Sequence, residues 1–283
     1  MGNQIKTLVH YRHYTNVRGL KMRTYISFHP TSTKRVGSLL LIHGAGEHVG
    51  RYSWAIEQWN HAGYDVLSGD LPGYGRSDGK KGHIEHFDQY TKAVDEWYNV
   101  LLKHTTDVPY IFAHSLGGLI AARFLETYQK SVRGVILSSP CFGLKMKVPT
   151  WKETIAKTLN VLYPSLTLES GIKPHFVTRN EEILKQDQTD PYLTRAASVR
   201  WYRELVQNIQ FNWNQIDQFP NVPLLVHQGG GDLITDKVEA KKWFDALPIQ
   251  HKEYREWPGF YHELLNEPER ELVISEMISW MKK

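Results

Sequence analysis

Short, unbroken apolar runs alternate along this chain with longer stretches in which apolar residues recur every three or four positions. Ser38-Leu39-Leu40-Leu41-Ile42, Val135-Ile136-Leu137 and Leu224-Leu225-Val226 show no polar alternation, the signature of strands buried on both faces. The pattern predicts strands over 20–28, 37–42, 65–68, 109–113, 132–137, 222–227 and 252–256. Between them, 51–62, 87–104, 116–128, 236–246 and 268–281 are long enough for crossover helices, with Asp236 placed as an N-cap and Pro268 in a first turn. Strand and helix alternating in this way describe an α/β fold, a mostly parallel central sheet with helices on both faces.

The alternation breaks between Cys141 and Phe219. Pro149, Pro164, Pro174 and Pro191 punctuate this interval, and it is dense in aromatic residues, among them Trp151, Tyr163, Trp201, Tyr202 and Trp213. It reads as a helical cap, 141–219, inserted into a core made of 1–140 and 220–283. A length of 283 residues suits one such core with one sizeable insertion.

Composition narrows the function classes. With 41% hydrophobic and 23% charged residues the chain is an ordinary folded globule. A net charge of +4 without a block of like charges gives no basis for nucleic acid as a partner. Its one cysteine, Cys141, forms no internal disulfide and fits a reducing compartment. The first residues lack a secretory h-region, no run approaches a membrane span, and Lys6 stands where a myristoylation signal wants Ser or Thr, so a cytoplasmic protein is expected.

The sharpest chemical signal is Pro109-Tyr110-Ile111-Phe112-Ala113-His114-Ser115-Leu116-Gly117-Gly118. A strand runs through a small residue into Ser, then two glycines, then a helix, as a nucleophile elbow requires. The competing reading makes Ser115 a plain helix N-cap. A serine hydroxyl needs a base, and the base an orienting acid, in the chain order Ser, acid, His at successive strand ends. Gln228-Gly229-Gly230-Gly231-Asp232 and Pro258-Gly259-Phe260-Tyr261-His262 supply both, which makes Ser115, Asp232 and His262 the candidate catalytic residues. Asp236 is set aside as an N-cap, and His114 is expected to point to the wrong side of the turn. For the oxyanion, the backbone N–H of Leu116 pairs with that of Ala45 in the glycine-rich His43-Gly44-Ala45-Gly46-Glu47-His48. This chemistry needs neither cofactor nor metal. The rival metal reading, from His83-Ile84-Glu85-His86, lacks the H-E-x-x-H spacing.

Taken together, His43 to His48 with Gly50-Arg51-Tyr52, Gly69-Asp70-Leu71-Pro72-Gly73-Tyr74-Gly75-Arg76-Ser77, the Ser115 elbow and Tyr261-His262-Glu263-Leu264-Leu265-Asn266-Glu267 resemble the monoacylglycerol lipase and lysophospholipase branch of the α/β-hydrolases. The likeness covers about 20–140 and 220–283 and is weak across the cap; Ala113 stands where glycine is usual. It implies a serine ester hydrolase with the triad and oxyanion donors above, acting on a single-chain glycerolipid. A general carboxylesterase, a serine aminopeptidase or a catalytically silent lipid-binding module on the same fold are the alternatives. In the cap, Trp151, Ile155, Leu159 and Leu162 fall on one face of a helix, and four Lys stand against two Glu between Cys141 and Gly171. This segment is expected to bind substrate through Trp151, Ile155 and Leu159 and to touch anionic membrane surfaces transiently.

Overall fold

The computed structural model describes residues 11–17, 19–145 and 150–283, with side chains over 19–145 and 153–283. The strands are β1 (Tyr11–Val17), β2 (Leu20–Ser27), β3 (Gly37–Ile42), β4 (Tyr64–Gly69), β5 (Tyr110–His114), β6 (Gly134–Ser138), β7 (Thr167–Glu169), β8 (Ala196–Ser198), β9 (Leu224–Gly229) and β10 (Lys252–Trp257). The helices are α1 (Ser53–His61), α2 (Asp88–His104), α3 (Leu116–Tyr128), α4 (Thr150–Leu162), α5 (Glu181–Asp187), α6 (Val199–Asn214), α7 (Lys237–Ala246) and α8 (Arg270–Met281). Eight strands form one sheet in the order β1-β2-β4-β3-β5-β6-β9-β10. The pairings from β4 through β10 are parallel, and β2 runs antiparallel to both β1 and β4.

The unbroken apolar strands earn both faces of this sheet. In β3, Leu40 and Ile42 join one apolar cluster, with Trp97 of α2, Leu119 of α3 and Trp243 of α7. Leu39 and Leu41 join the other, with Trp59 of α1 and Met277 of α8. In β5, Ile111 and Ala113 face the first cluster, Tyr110 and Phe112 the second. The period of two thus persists, but both phases are apolar because helices cover both sides. β10 is an edge strand, and its Lys-Glu-Tyr-Arg-Glu sequence carries the charges that discourage pairing at an open edge.

Asp236 caps α7, its carboxylate accepting from Val238 N–H at 2.9 Å. Pro268, expected in the first turn of the last helix, lies just ahead of α8, whose N-cap is Glu269. The added strand β1 was not expected from the sequence; its register on β2 runs from Tyr11 opposite Ile26 to Val17 opposite Leu20. Between β6 and β9 the chain leaves the sheet and forms α4, α5, α6 and an antiparallel β7–β8 pair, which helical periodicity alone did not suggest.

Candidate active site

Ser115 sits between β5 and α3 with φ 54° and ψ −119°, a conformation that non-glycine residues rarely hold. Two glycines explain how the turn closes. A Cβ on Gly117 would lie 2.4 Å from Ile42 O, and one on Gly118 2.8 Å from Pro140 Cβ. The strain is held by backbone bonds from Ser115 N–H to Ser138 O (3.0 Å) and from Gly118 N–H to Ser115 O (2.9 Å). The Ser115 side chain makes no cap bond to the helix, so it does not serve as an N-cap. Its hydroxyl instead meets Nε2 of His262 at 2.9 Å, and Nδ1 of His262 meets Oδ2 of Asp232 at 2.8 Å. The three residues arrive from the ends of β5, β9 and β10, where strands in an open α/β sheet deliver functional groups.

Asp232 is held ionised. Its Oδ1 accepts from the N–H groups of Ile234 (2.8 Å) and Thr235 (3.0 Å), and its Oδ2 from Thr235 Oγ1 (2.7 Å) and Gln228 Nε2 (3.1 Å). Burial would raise its pKa, but the charge and hydrogen bond of His262 and these donors outweigh that and bring it down to about 2. An ionised Asp232 fixes the proton of His262 on Nδ1 and leaves Nε2 as acceptor for the Ser115 hydroxyl. For His262 burial works downward, yet the Asp232 charge and hydrogen bond, with Glu263 and Glu47, lift its pKa above the ordinary value.

The other histidines take different roles. His114 is not turned away from the site: its ring centroid lies 4.7 Å from that of His262. Its Nδ1–H donates to Ser138 O at 3.0 Å, and burial together with the His262 charge pulls its pKa down to about 4, so it stays neutral. His43 donates from Nδ1 to Gly44 O and accepts at Nε2 from Leu71 N–H, a buried structural pair of bonds. His83 bonds Ser198 Oγ and Glu85, and among the described residues no group of three or more His, Cys, Asp or Glu is placed to hold a metal. Cys141 is buried beside Asp232, and burial pushes its thiol up to about 12, which keeps it protonated and weakly nucleophilic.

Ala45 and Leu116 border the same cavity as Ser115 and His262. The loop is drawn in at Gly44, where a Cβ would lie 3.1 Å from Ser115 Cβ, and Gly44 N–H donates to Glu47 Oε1 at 2.5 Å. The cavity, about 110 Å³, has an apolar wall of Leu144, Ile172, Val177, Trp201, Leu205 and Ile234 and a polar end formed by Glu47, His114 and Glu263. Of the cap residues singled out from the sequence, Ile155 and Leu159 do not form that wall. Ile155 is 49% exposed, and the Trp151 side chain lies outside the described residues. The reason is that α4 turns a polar face to α6, where Glu153 accepts from Tyr202 OH (2.9 Å) and Asn160 Oδ1 from Arg200 Nε (2.6 Å). Trp201 and Leu205, one helical turn apart on α6, take the place assigned to α4.

Fold and strand-end constellation together define an α/β-hydrolase. Within that fold the chain belongs to the family described as serine aminopeptidase, S33, whose model matches residues 33–269. It is 44% identical to a phospholipase of Bacillus subtilis over 240 residues, 84% of this chain and 92% of that protein. Its structure resembles the monoacylglycerol lipase of Paleococcus ferrophilus with a TM-score of 0.82 and 31% identity, over 92% of this chain and 98% of that one. The fold of a soluble variant of the Saccharomyces cerevisiae monoglyceride lipase, bound to a substrate analog, matches with a TM-score of 0.85 at 23% identity, over 98% and 96% of the two chains. The protein is a hydrolase of the esterase and lipase type. Among the described residues no helix is long and apolar enough to cross a membrane.

Proposed function

We propose that the chain hydrolyses the acyl ester of a single-chain glycerolipid, a monoacylglycerol or lysophospholipid, with Ser115 as nucleophile. The observation that carries this reading is the unbroken hydrogen-bonded chain Ser115–His262–Asp232 opening onto a cavity with an apolar wall. Nε2 of His262 takes the hydroxyl proton as Ser115 Oγ attacks the acyl carbonyl, and Asp232 stabilises the imidazolium. The N–H groups of Ala45 and Leu116 receive the developing oxyanion, a donor there contributing about 3 kcal/mol. The imidazolium passes its proton to the leaving alcohol, and a water deprotonated by His262 then releases the fatty acid.

An ester rather than an aminoacyl substrate is favoured by the state of the two carboxylates at the polar end. All four oxygens of Glu47 and Glu263 already accept bonds, from Gly44 N–H, Tyr52 OH, Arg51 and Asn266, so a substrate ammonium would have to share them with the Arg51 cation. The names of the relatives, phospholipase and monoacylglycerol lipase, favour lipid esters as well. In this reading the insertion caps the cavity and supplies its acyl wall. Its outer surface exposes Val161, Leu162, Tyr163, Leu166 and Leu168 in succession, and a lipid surface is the partner that suits such a patch on an enzyme of single-chain lipids. Hydrolysis rates compared on monoacylglycerols, lysophosphatidylcholine, triacylglycerols and aminoacyl amides test the reading. Preference for the first two supports it; preference for the amides overturns it.

A further inference from the structure

Arg51 lies in the single turn Val49–Tyr52 that leads into α1, and its side chain is 6% exposed. The five N–H bonds of its guanidinium all meet carboxylates. One edge of the fork is on Glu263, Nη1 to Oε1 at 2.7 Å and Nη2 to Oε2 at 2.8 Å. The other edge is on Asp187, Nε to Oδ1 at 3.2 Å and Nη2 to Oδ2 at 2.7 Å. Nη1 also reaches Glu47 Oε2 at 3.1 Å.

The three carboxylates belong to three segments far apart in the chain. Glu263 is the neighbour of His262. Glu47 anchors the Gly44-Ala45 loop through Gly44 N–H. Asp187 ends α5, in the insertion. Backbone bonds run alongside these side-chain links, from Glu263 N–H to Val177 O (2.8 Å) and from Thr194 N–H to Gly46 O (2.7 Å). His48, whose Nδ1 accepts from Gly50 N–H, donates from Nε2 to Asp190 at 2.8 Å. The stretch 177–194 therefore grips both the His262 loop and the Gly44-Ala45 loop, and the two grips meet at Arg51.

One cation against three buried carboxylates leaves the cluster short of positive charge, and the shortage falls on the insertion. Glu263 and Glu47 are held low despite burial, Glu263 by Arg51 and Glu47 by its neighbours His114 and Arg51, of which Arg51 carries the positive charge. At Asp187 burial outweighs Arg51 and raises the carboxyl, so Asp187 is the most weakly held of the three. Neither Arg51 nor Asp187 lines the cavity, so any effect of theirs on reaction passes through other residues.

We propose that Arg51 is a positioning residue that transmits the seating of the insertion to the reacting groups. With Asp187 on one edge of the planar fork, the other edge holds Glu263, and with it His262, in register with Glu47 and the Gly44-Ala45 loop. When α5 lifts, the fork loses the partner that fixes its plane and both loops relax. The inference rests on the reading of Ser115, His262 and Asp232 as the triad. A purely structural ion cluster is the competing explanation, since buried ion pairs often contribute little net stability. It would change the unfolding temperature without changing how fast the folded protein reacts.

The test is the second-order rate at which a fluorophosphonate labels Ser115, together with kcat and KM on p-nitrophenyl butyrate across roughly pH 5 to 9. Full-length protein is compared with Asp187→Ala, Asp187→Asn, Arg51→Gln and Arg51→Lys, and folding of each is checked by thermal unfolding. Asp187→Asn keeps size and one acceptor, so it stands in if Asp187→Ala does not fold. Either Asp187 variant is expected to slow labelling and lower kcat by about tenfold with KM little changed, the scale on which linked residues couple. Around His262 the charged and titratable groups are Asp232, Glu263, Glu47 and His114; around Arg51 they are Glu47, Glu263 and Asp187, with the His48–Asp190 pair beside them. In Arg51→Gln the two glutamates face His262 without their cation, so the acid limb of kcat/KM moves to higher pH. Arg51→Lys restores the limb but, lacking the fork, not the labelling rate. Wild-type labelling in the folded Asp187 variants, or an unmoved acid limb in Arg51→Gln, overturns the proposal. A Ser115→Ala control that still labels would instead sink the triad reading, which keeps the two failures apart.

Discussion

The hydroxyl of Ser115 reaches Nε2 of His262 at 2.9 Å across 147 residues of chain, and the same imidazole holds Asp232 at 2.8 Å with its other nitrogen. Each of the three is buried, so the bonds compete with little water. If Ser115 is the nucleophile, Ser115→Ala lowers turnover by about four orders of magnitude or more while the protein remains folded. Ester hydrolysis by the purified variant, measured beside its thermal unfolding, checks this; near wild-type activity would remove Ser115 from the mechanism.

The pH profile follows from His262. In the proposed mechanism its neutral form is the base, and its pKa is raised above the ordinary 6.5 mainly because the Asp232 charge and hydrogen bond overcome burial. Activity is therefore present above that raised value and lost as pH falls through it, which sets the acid limb of kcat/KM above pH 6.5. Asp232→Asn removes the charge that lifts the imidazole, so the limb moves to lower pH while turnover falls by about 10⁴ as the tautomer is lost. A limb that stays in place in Asp232→Asn would mean that another group titrates.

The core and this constellation were legible in the sequence because both are written locally: apolar runs mark the buried strands, Ser115 and Asp232 each follow one of them, and His262 follows the edge strand β10. Gly117 is legible for the same reason, as the residue that lets α3 approach Ile42 O. The wall of the cavity was not legible. The apolar spacing of Ile155, Leu159 and Leu162 marks a helix face but does not say which side meets α6, and that is decided by Glu153 with Tyr202 and Asn160 with Arg200, pairs far apart in sequence. The Arg51 cluster escaped notice likewise, since Asp187 and Glu263 lie 136 and 212 residues from Arg51.

Gly117→Ala tests the closure of the elbow. The added methyl would sit 2.4 Å from Ile42 O and 2.6 Å from His43 O, both backbone atoms that cannot swing aside. A loss of about 1–3 kcal/mol of stability, the usual cost of overpacking, is expected, together with reduced activity because the strained Ser115 turn must shift. Denaturant unfolding measures the first and fluorophosphonate labelling the second. A variant as stable and reactive as wild type would show that the turn has room to spare.

Leu205 offers a test of the acyl wall. It is buried on α6 and borders the cavity with Trp201. Leu205→Trp adds bulk to a space of about 110 Å³, and long-chain monoacylglycerols should lose roughly tenfold or more in kcat/KM while a short ester is nearly spared, since pocket volume discriminates on about this scale. Equal loss on both chain lengths would place the acyl chain elsewhere.

The last prediction concerns the outer face of the insertion. Val161 is 78% exposed and Leu162 63%, and Tyr163, Leu166 and Leu168 continue the patch beyond the end of α4. Exposed Lys157 and Lys173 flank it, the charges that an anionic lipid surface attracts. Ile155, also exposed, lies on the same side of α4 as Leu162, so these two residues of the apolar stripe face solvent rather than the cavity. A surface of this kind inserts shallowly into the headgroup region, each buried methylene contributing about 0.8 kcal/mol. Val161→Ser with Leu162→Ser is expected to weaken sedimentation with phosphatidylglycerol vesicles by roughly tenfold or more and to slow hydrolysis of vesicle-borne monoacylglycerol. Hydrolysis of p-nitrophenyl butyrate in solution should not change, because neither residue borders the cavity. Unchanged vesicle binding, with a concentration-dependent dimer of the wild type that the double variant abolishes, would assign the patch to a second copy of the chain instead.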